Sequence, residues 1–187
     1  MSRPSLSTAR VTDAAVIVVD RHGFAALNVS VVAGELGVKP SALYNHVDGA
    51  VGLHYLIAVR STVNLAHDVR EAAIGVGGDR ALDAIGTAYR RFAHTKPGQF
   101  AYTFLPPVTA DDELARANGS VVGVFVLVYR AMGLKDSESD LAARSTRSAI
   151  HGFCALEQAA GPATRQDAEY RHLLDTLRRG IREPRTN

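Results

Sequence analysis

The 187-residue chain has one cysteine, no tryptophan, two methionines and three lysines among its 21 basic residues. A lone Cys154 cannot close an internal disulfide, and a cysteine-rich zinc site is out of reach. The N-terminus does not join a basic segment to an apolar run of signal-peptide length. These absences are those of an intracellular, cytoplasmic protein. The longest apolar stretch, Val121 to Tyr129, stops at Arg130, well short of the ~20 residues that a membrane span needs. No membrane partner is expected. The seven histidines, at 22, 46, 54, 67, 94, 151 and 172, include no His-Glu-x-x-His or other close ligand pair. Gly75, Gly77 and Gly78 lack the Lys and Ser/Thr of a phosphate loop, so no catalytic residue, metal or cofactor is expected. Charge of one sign is also missing: the net value is +2, and by itself it names neither a nucleic-acid nor an acidic partner.

What is present is helical periodicity over a length that suits one compact body, or a small module fused to a larger one. Val11, Ala14, Ala15 and Val18 fall at i, i+3, i+4 and i+7 of a helix from about Thr8 to His22, with Ser7 as N-cap and Gly23 as a left-handed stop. Asn28 can cap a helix that runs to Leu36 and ends at Gly37, and Pro40 suits the first turn of another that reaches Val47. A long helix follows Gly49 and runs to about Ala73. The glycines at 75, 77 and 78 mark the expected domain boundary.

Beyond it, Asp79 caps a helix through His94, and Lys96, Pro97 and Gly98 turn the chain into a short segment ending at Pro106 and Pro107. Thr109 with Asp112 approximates a capping box for a helix ending at Gly133. Ser137 opens a further helix that stops at Gly161 and Pro162. The last, from about Arg165 to Ile181, carries Tyr170, Leu173, Leu174, Leu177 and Ile181 on one stripe. Val121 to Val128 has the β-branched content of a strand, but the caps and length around it favour a buried helix. The fold expected is all-α, with about nine helices.

Two short helices around a glycine turn, Val29 to Leu36 and Pro40 to Val47, have helix-turn-helix spacing, as does an ordinary helical hairpin. The residues themselves go further. Leu27 to Val47, above all Ala33, Leu36, Gly37 and Val38 followed by Leu43, Tyr44 and His46, resembles the signature of the TetR family of transcriptional regulators. Ala14 to Phe24 resembles that family's first helix with its terminal Gly-Phe.

The resemblance implies that residues 1–50 form a three-helix DNA-binding head, that the helix of about 50–74 connects, and that 75–187 bind a ligand and dimerise. It places Asn28 as a phosphate-facing cap, Tyr44 and His46 on the DNA backbone, and Lys39, Ser41, Ala42 and Asn45 on the leading face of the recognition helix. Asn45 suits adenine, and Lys39 suits guanine or phosphate. A Tyr at position 44 can instead bury its ring as packing. Two positions depart from the family pattern: Val47 stands for its common Phe, and Ala50 for a phosphate-binding Lys. In residues 1–50, Arg3, Arg10, Arg21 and Lys39 are balanced by Asp13, Asp20, Glu35 and Asp48. A neutral head implies modest DNA affinity with a shallow salt dependence.

Further along, Ala88 to Ala93, the turn at Lys96, and Ile150, His151, Gly152 and Phe153 are similar to a C-terminal domain whose hallmark is Trp-His-Gly, with Ile150 replacing the Trp. A small, largely apolar effector would be enclosed by Tyr89, Phe92, Phe100, Phe104, Phe125, Tyr129, His151 and Cys154. Plain core is the more ordinary role for each aromatic, and a satisfied core or interface residue for His151. Ser145, Ser148, Ala149, Gly152, Ala155 and Ala159 line one side of a helix, and with Leu173, Leu174 and Leu177 they can form a homodimer interface or pack within the chain. The function implied is a ligand-responsive repressor, bacterial and nucleoid-associated, that binds a palindromic double-stranded DNA operator. The alternative is a relative that kept the fold as a ligand-binding or interaction protein without specific DNA binding.

Overall fold

A computed structural model describes residues 5–103, 105–106, 112–161 and 166–182, with Ile181 and Arg182 described by backbone alone. Arg3, Phe104, Pro107, Thr109, Pro162, Arg165 and the Ile181 side chain therefore lie outside the described residues. The protein is all-α, with eight α-helices and two 3-10 segments among the described residues. The helices are α1 (Thr8–His22), α2 (Val29–Leu36), α3 (Gly49–Ala73), α4 (Asp79–Thr95), α5 (Pro97–Tyr102), α6 (Glu113–Ala131), α7 (Asp136–Ala160) and α8 (Asp167–Arg182). The ambiguous valine run lies inside α6, with Val121, Val124, Phe125, Val128 and Tyr129 buried. Among the described residues, no helix is long and apolar enough to cross a membrane.

Two compact units divide the chain. The first comprises residues 1–62 and 96–116, the second residues 63–95 and 117–187. A single break at Gly75 is therefore not where the chain divides. The division falls inside α3, and α5 returns to the first unit because it packs on α1.

The core of the first unit gathers Val11, Ala15, Val18 and Val19 of α1, Val32 and Ala33 of α2, and Leu53 and Ile57 of α3. Ser7 caps α1 by accepting the Arg10 amide at 3.3 Å, as its position predicts. Gly23 ends α1 at φ 80°, ψ 172°, positive as expected but outside the αL region. Gly37 ends α2 at φ 65°, ψ 36°, a true left-handed turn that lets the chain reverse sharply. The α5 backbone lies so close to the C-terminal turn of α1 that a Cβ on Gly98 would stand 2.0 Å from the Val19 carbonyl oxygen. Gln99 then clasps Asp20, its backbone N–H donating to Oδ1 at 3.0 Å and its side-chain amide to Oδ2 at 2.6 Å. Three residues on, the Tyr102 hydroxyl and His54 Nδ1 share a hydrogen bond of 2.8 Å beneath the half-exposed ring of Phe24.

In the second unit α4 is the centre, with Leu82, Ile85, Tyr89 and Phe92 fully buried and contacts to both α7 and α8. Tyr170 of α8 donates its hydroxyl to the Gly86 carbonyl at 2.6 Å, and Leu174 fills the space a side chain at Gly86 would need. The helix expected to start from Thr109 begins instead at Glu113, where Asp112 caps it by accepting the Ala115 amide at 2.7 Å. Helix α7 begins at Asp136, one residue before the expected Ser137.

Candidate nucleic-acid interface and buried polar core

Asn28 is the N-cap of α2: its Oδ1 accepts the Val31 amide at 3.0 Å, leaving the first turn of that helix at the surface. After Gly37 the chain enters the 3-10 segment Pro40–Asn45, six residues where a short α-helix was expected. Pro40 fixes the backbone for a tight start, and the Ala42 amide donates to the Lys39 carbonyl at 3.0 Å. A period of three residues per turn stacks i on i+3. Leu43 therefore points inward, fully buried, with Pro40 above it, while Ser41 with Tyr44 and Ala42 with Asn45 form two outer rows. Ser41 and Asn45 are exposed, Ala42 is half-buried, and Tyr44 is 61% exposed, so its ring is not used as packing within the chain. Lys39 is exposed at the head of the segment. His46 is half-buried, and its carbonyl accepts the Thr8 hydroxyl at 3.3 Å, which ties the end of the segment to α1.

Charge in this unit is largely internally matched. Arg21 pairs with Glu35 at 3.2 Å, and Arg60 pairs with Asp13. Ala50 is exposed in the first turn of α3. The exposed face of this segment is therefore not embedded in a strongly cationic field.

The candidate sensing residues of the second unit converge. Tyr89, Phe92, Phe125 and Tyr129 are fully buried, and Cys154 and His151 nearly so. The Tyr89 hydroxyl and His151 Nδ1 are 2.6 Å apart, the Tyr129 hydroxyl and Thr146 Oγ1 2.5 Å. Burial lowers His151 to about 3, with the Arg147 charge adding to the effect, and raises Tyr89 to about 12. Both groups are therefore neutral at pH 7. Arg147 is itself held by Asn118, donating to its Oδ1 at 2.6 Å. Burial likewise raises the Cys154 thiol to about 12, which makes it an inert apolar side chain. Phe100 does not join this group: it is buried in the first unit, because α5 folds onto α1. Phe104 lies outside the described residues.

One face of α7 is open. Ser145, Ser148 and Ala159 are exposed, and Ala149, Gly152 and Ala155 half-buried, with nothing within 4 Å of a Cβ built on Gly152. The same face adds Leu141 and Leu156, 61% and 73% exposed, which a search for small residues passes over. On α8, Leu173 and Leu177 are half-buried. Leu174 is a correction: it is buried against Gly86 of its own chain and is not free for a partner copy.

Sequence reasoning also missed an ion network. Glu157, 2% exposed, accepts Arg90 Nε at 2.9 Å and Nη2 at 2.5 Å, His94 Nε2 at 2.7 Å and the Gln166 amide at 2.9 Å. The hydrogen bonds from Arg90 hold its carboxyl down to about 2. The available signal was an acid on the same stripe of the helix as Ile150 and Cys154, where burial requires a cation. Among the described residues, no group of three His, Cys, Asp or Glu side chains is placed to hold a metal ion.

Residues 82–177 match a family model described as the tetracyclin repressor-like C-terminal domain. The chain is 31% identical over 159 residues, 84% of its length and 73% of the relative's, to an uncharacterized HTH-type transcriptional regulator of Mycobacterium tuberculosis. Among solved structures it is similar to a protein of unknown function from Rhodococcus sp. RHA1, with a TM-score of 0.79 and 18% identity over 97% of this chain and 98% of that one. It is also similar to BioQ, solved with its double-stranded DNA operator, with a TM-score of 0.68 and 24% identity over 95% and 98% of the two chains.

Proposed function

Since this chain belongs to the TetR family of DNA-binding transcriptional regulators, we propose that it is a repressor that occupies a palindromic operator as a homodimer and is released by a small, largely apolar effector. The observation that carries the reading is the 3-10 segment. Its buried Leu43 anchors two outward rows, Ser41 with Tyr44 and Ala42 with Asn45, next to the Asn28-capped start of α2. In this reading residues 1–50 are the DNA-reading part, and Asn45 and Lys39 read base edges. Tyr44, His46 and the α2 amides behind Asn28 hold phosphates. The protein acts in the bacterial cytoplasm, at the nucleoid.

Dimerisation is supported by the open face of α7, where Leu141, Ser145, Ser148 and Leu156 are exposed and Gly152 half-buried among the described residues, at helical spacing. Leu173 and Leu177 of α8 extend that surface. A two-fold pair would set the two reading segments about 34 to 36 Å apart, one turn of DNA between half-site centres. The effector would lodge among Tyr89, Phe92, Phe125, Tyr129, His151 and Cys154, with the Tyr89–His151 pair as the polar group that orients it. A ligand that prefers the dimer with a different head spacing shifts the population off DNA by no more than its differential affinity.

Gel-shift titration against DNA upstream of the protein's own gene is the test, with the oligomeric state measured in the same buffer. Retardation that saturates supports the reading. A dimer that retards no DNA at low salt overturns it in favour of an interaction protein that kept the fold.

A further inference from the structure

Along α4 and α8 the second unit carries a surface cleft of about 480 Å³, the size of a small-metabolite site. Its floor is the nearly buried ring of Tyr170 and the side chain of Leu174. One wall is Arg90, whose guanidinium carbon sits 4.8 Å from the centre of the Tyr170 ring. That guanidinium is fully engaged, with Glu157 on Nε and Nη2 and Asp167 on Nη1 at 2.8 Å. Two carboxylates more than offset its single charge, and only with Arg91 and Arg171 does the lining of the cleft keep a net positive charge. Arg90 is therefore a rigid, aromatic-backed wall rather than a free cation.

Two other guanidinium groups line the same cleft without such a match. Arg91 is exposed and has no hydrogen bond or ion pair from its side chain among the described residues. Arg171 is exposed, and its Nε donates to the Asp167 carbonyl at 3.2 Å, while neither terminal nitrogen has a partner among the described residues. The hydroxyl-bearing Thr87 and Thr95, with His94 held by Glu157, complete the lining. A cleft with an apolar aromatic floor and two uncompensated planar forks at its edge is complementary to an amphipathic anion. Guanidinium forks match carboxylate and phosphate oxygens in pairs, and the apolar remainder gains by covering Tyr170 and Leu174.

We propose that the cleft between α4 and α8 binds a small organic anion with an apolar body, whose carboxylate or phosphate is held by Arg91 and Arg171. The site differs from the buried Tyr89–His151 cluster, and it stands whether or not the repressor reading does.

Calorimetric titration of the full-length protein at low salt and pH 7, without DNA, tests it. The probes are octanoate and octyl phosphate, with 1-octanol and inorganic phosphate as controls. Saturable binding of at least one amphipathic anion is expected, and both controls should bind at least tenfold more weakly. The tighter of the two anions identifies the headgroup. The double variant Arg91→Gln/Arg171→Gln should weaken binding tenfold or more. Thr87→Tyr, which fills the cleft with both arginines intact, should do the same should the double variant fold poorly. The proposal is overturned if neither anion binds saturably, if 1-octanol binds as well as octanoate, or if both the double variant and Thr87→Tyr bind as the parent does.

Discussion

Replacing Gly98 with alanine puts the docking of α5 on α1 to a quantitative test. The new Cβ would stand 2.0 Å from the Val19 oxygen, 2.3 Å from its carbonyl carbon and 2.7 Å from the Asp20 nitrogen, all backbone atoms that cannot rotate away. Side-chain carbons essentially never come within 3.0 Å of such atoms. Helix α5 must therefore withdraw by about 1 Å, a forced overpacking. That displacement stretches both hydrogen bonds from Gln99 to Asp20, now 3.0 and 2.6 Å, out of bonding range. Bonds to a charged acceptor contribute about 1.5–3 kcal/mol each, and alanine returns about 1 kcal/mol of helix propensity. A net loss of roughly 2 to 5 kcal/mol follows. Urea unfolding followed by far-UV circular dichroism measures it, with two other glycines as internal standards. Gly86→Ala meets the flexible tip of Leu174 at 2.8 Å and should cost about 1 kcal/mol. Gly119→Ala meets nothing within 4 Å and should gain up to about 1 kcal/mol. If Gly98→Ala proves no more destabilising than Gly86→Ala, the tight seating of α5 is wrong.

Three further outcomes are expected. Asn45→Ala should relax sequence preference in gel shifts, whereas Tyr44→Phe should weaken all sites alike; equal weakening of every site by both would refute the assignment of roles. Ala50→Lys, at the exposed start of α3, should add one phosphate contact per protomer and steepen the salt slope of a dimer by about 1.8, roughly a tenfold greater loss between 50 and 200 mM salt; an unchanged slope places position 50 away from DNA. His151, held near 3 when folded against about 6.5 unfolded, binds its proton only on unfolding between those values. Its contribution is complete above pH ~6.5 and is lost at about 1.4 kcal/mol per pH unit as pH falls toward 3. His151→Gln should flatten stability against pH over that window, and an unaltered profile would contradict the burial described.

Much of the first unit is legible residue by residue because its signals are local. Ser7 and Asn28 cap the helices they precede, Gly37 makes a left-handed turn, and Leu43 is the inward residue of its segment. What escaped was long-range. Nothing in the sequence near Lys96 shows that Gly98 must approach the backbone of Val19, so Phe100 reads as a sensing residue although it belongs to the first unit. Leu174 reads as one member of a leucine stripe, and only its contact with Gly86, nearly ninety positions away, reveals that its own chain covers it. Spacing also could not separate a six-residue 3-10 segment from a short α-helix at Pro40, since both bury Leu43. In the second unit the convergence of Tyr89 with His151 was legible as chemistry, while the Glu157 network required knowing which face of α7 meets α4.

The seating of Gly98 also bears on the order of assembly during synthesis. The unit that carries the Pro40–Asn45 segment is discontinuous in sequence, and the clasp between Asp20 and Gln99 spans 79 positions. A nascent chain that has emerged only through Ala73 lacks the surface that covers the end of α1 and the partner that His54 finds in Tyr102. Loop closure over such a separation is slow relative to local helix formation. The first unit is therefore completed late, after α4 has been made, and its N-terminal start in the chain does not make it the first part to finish folding.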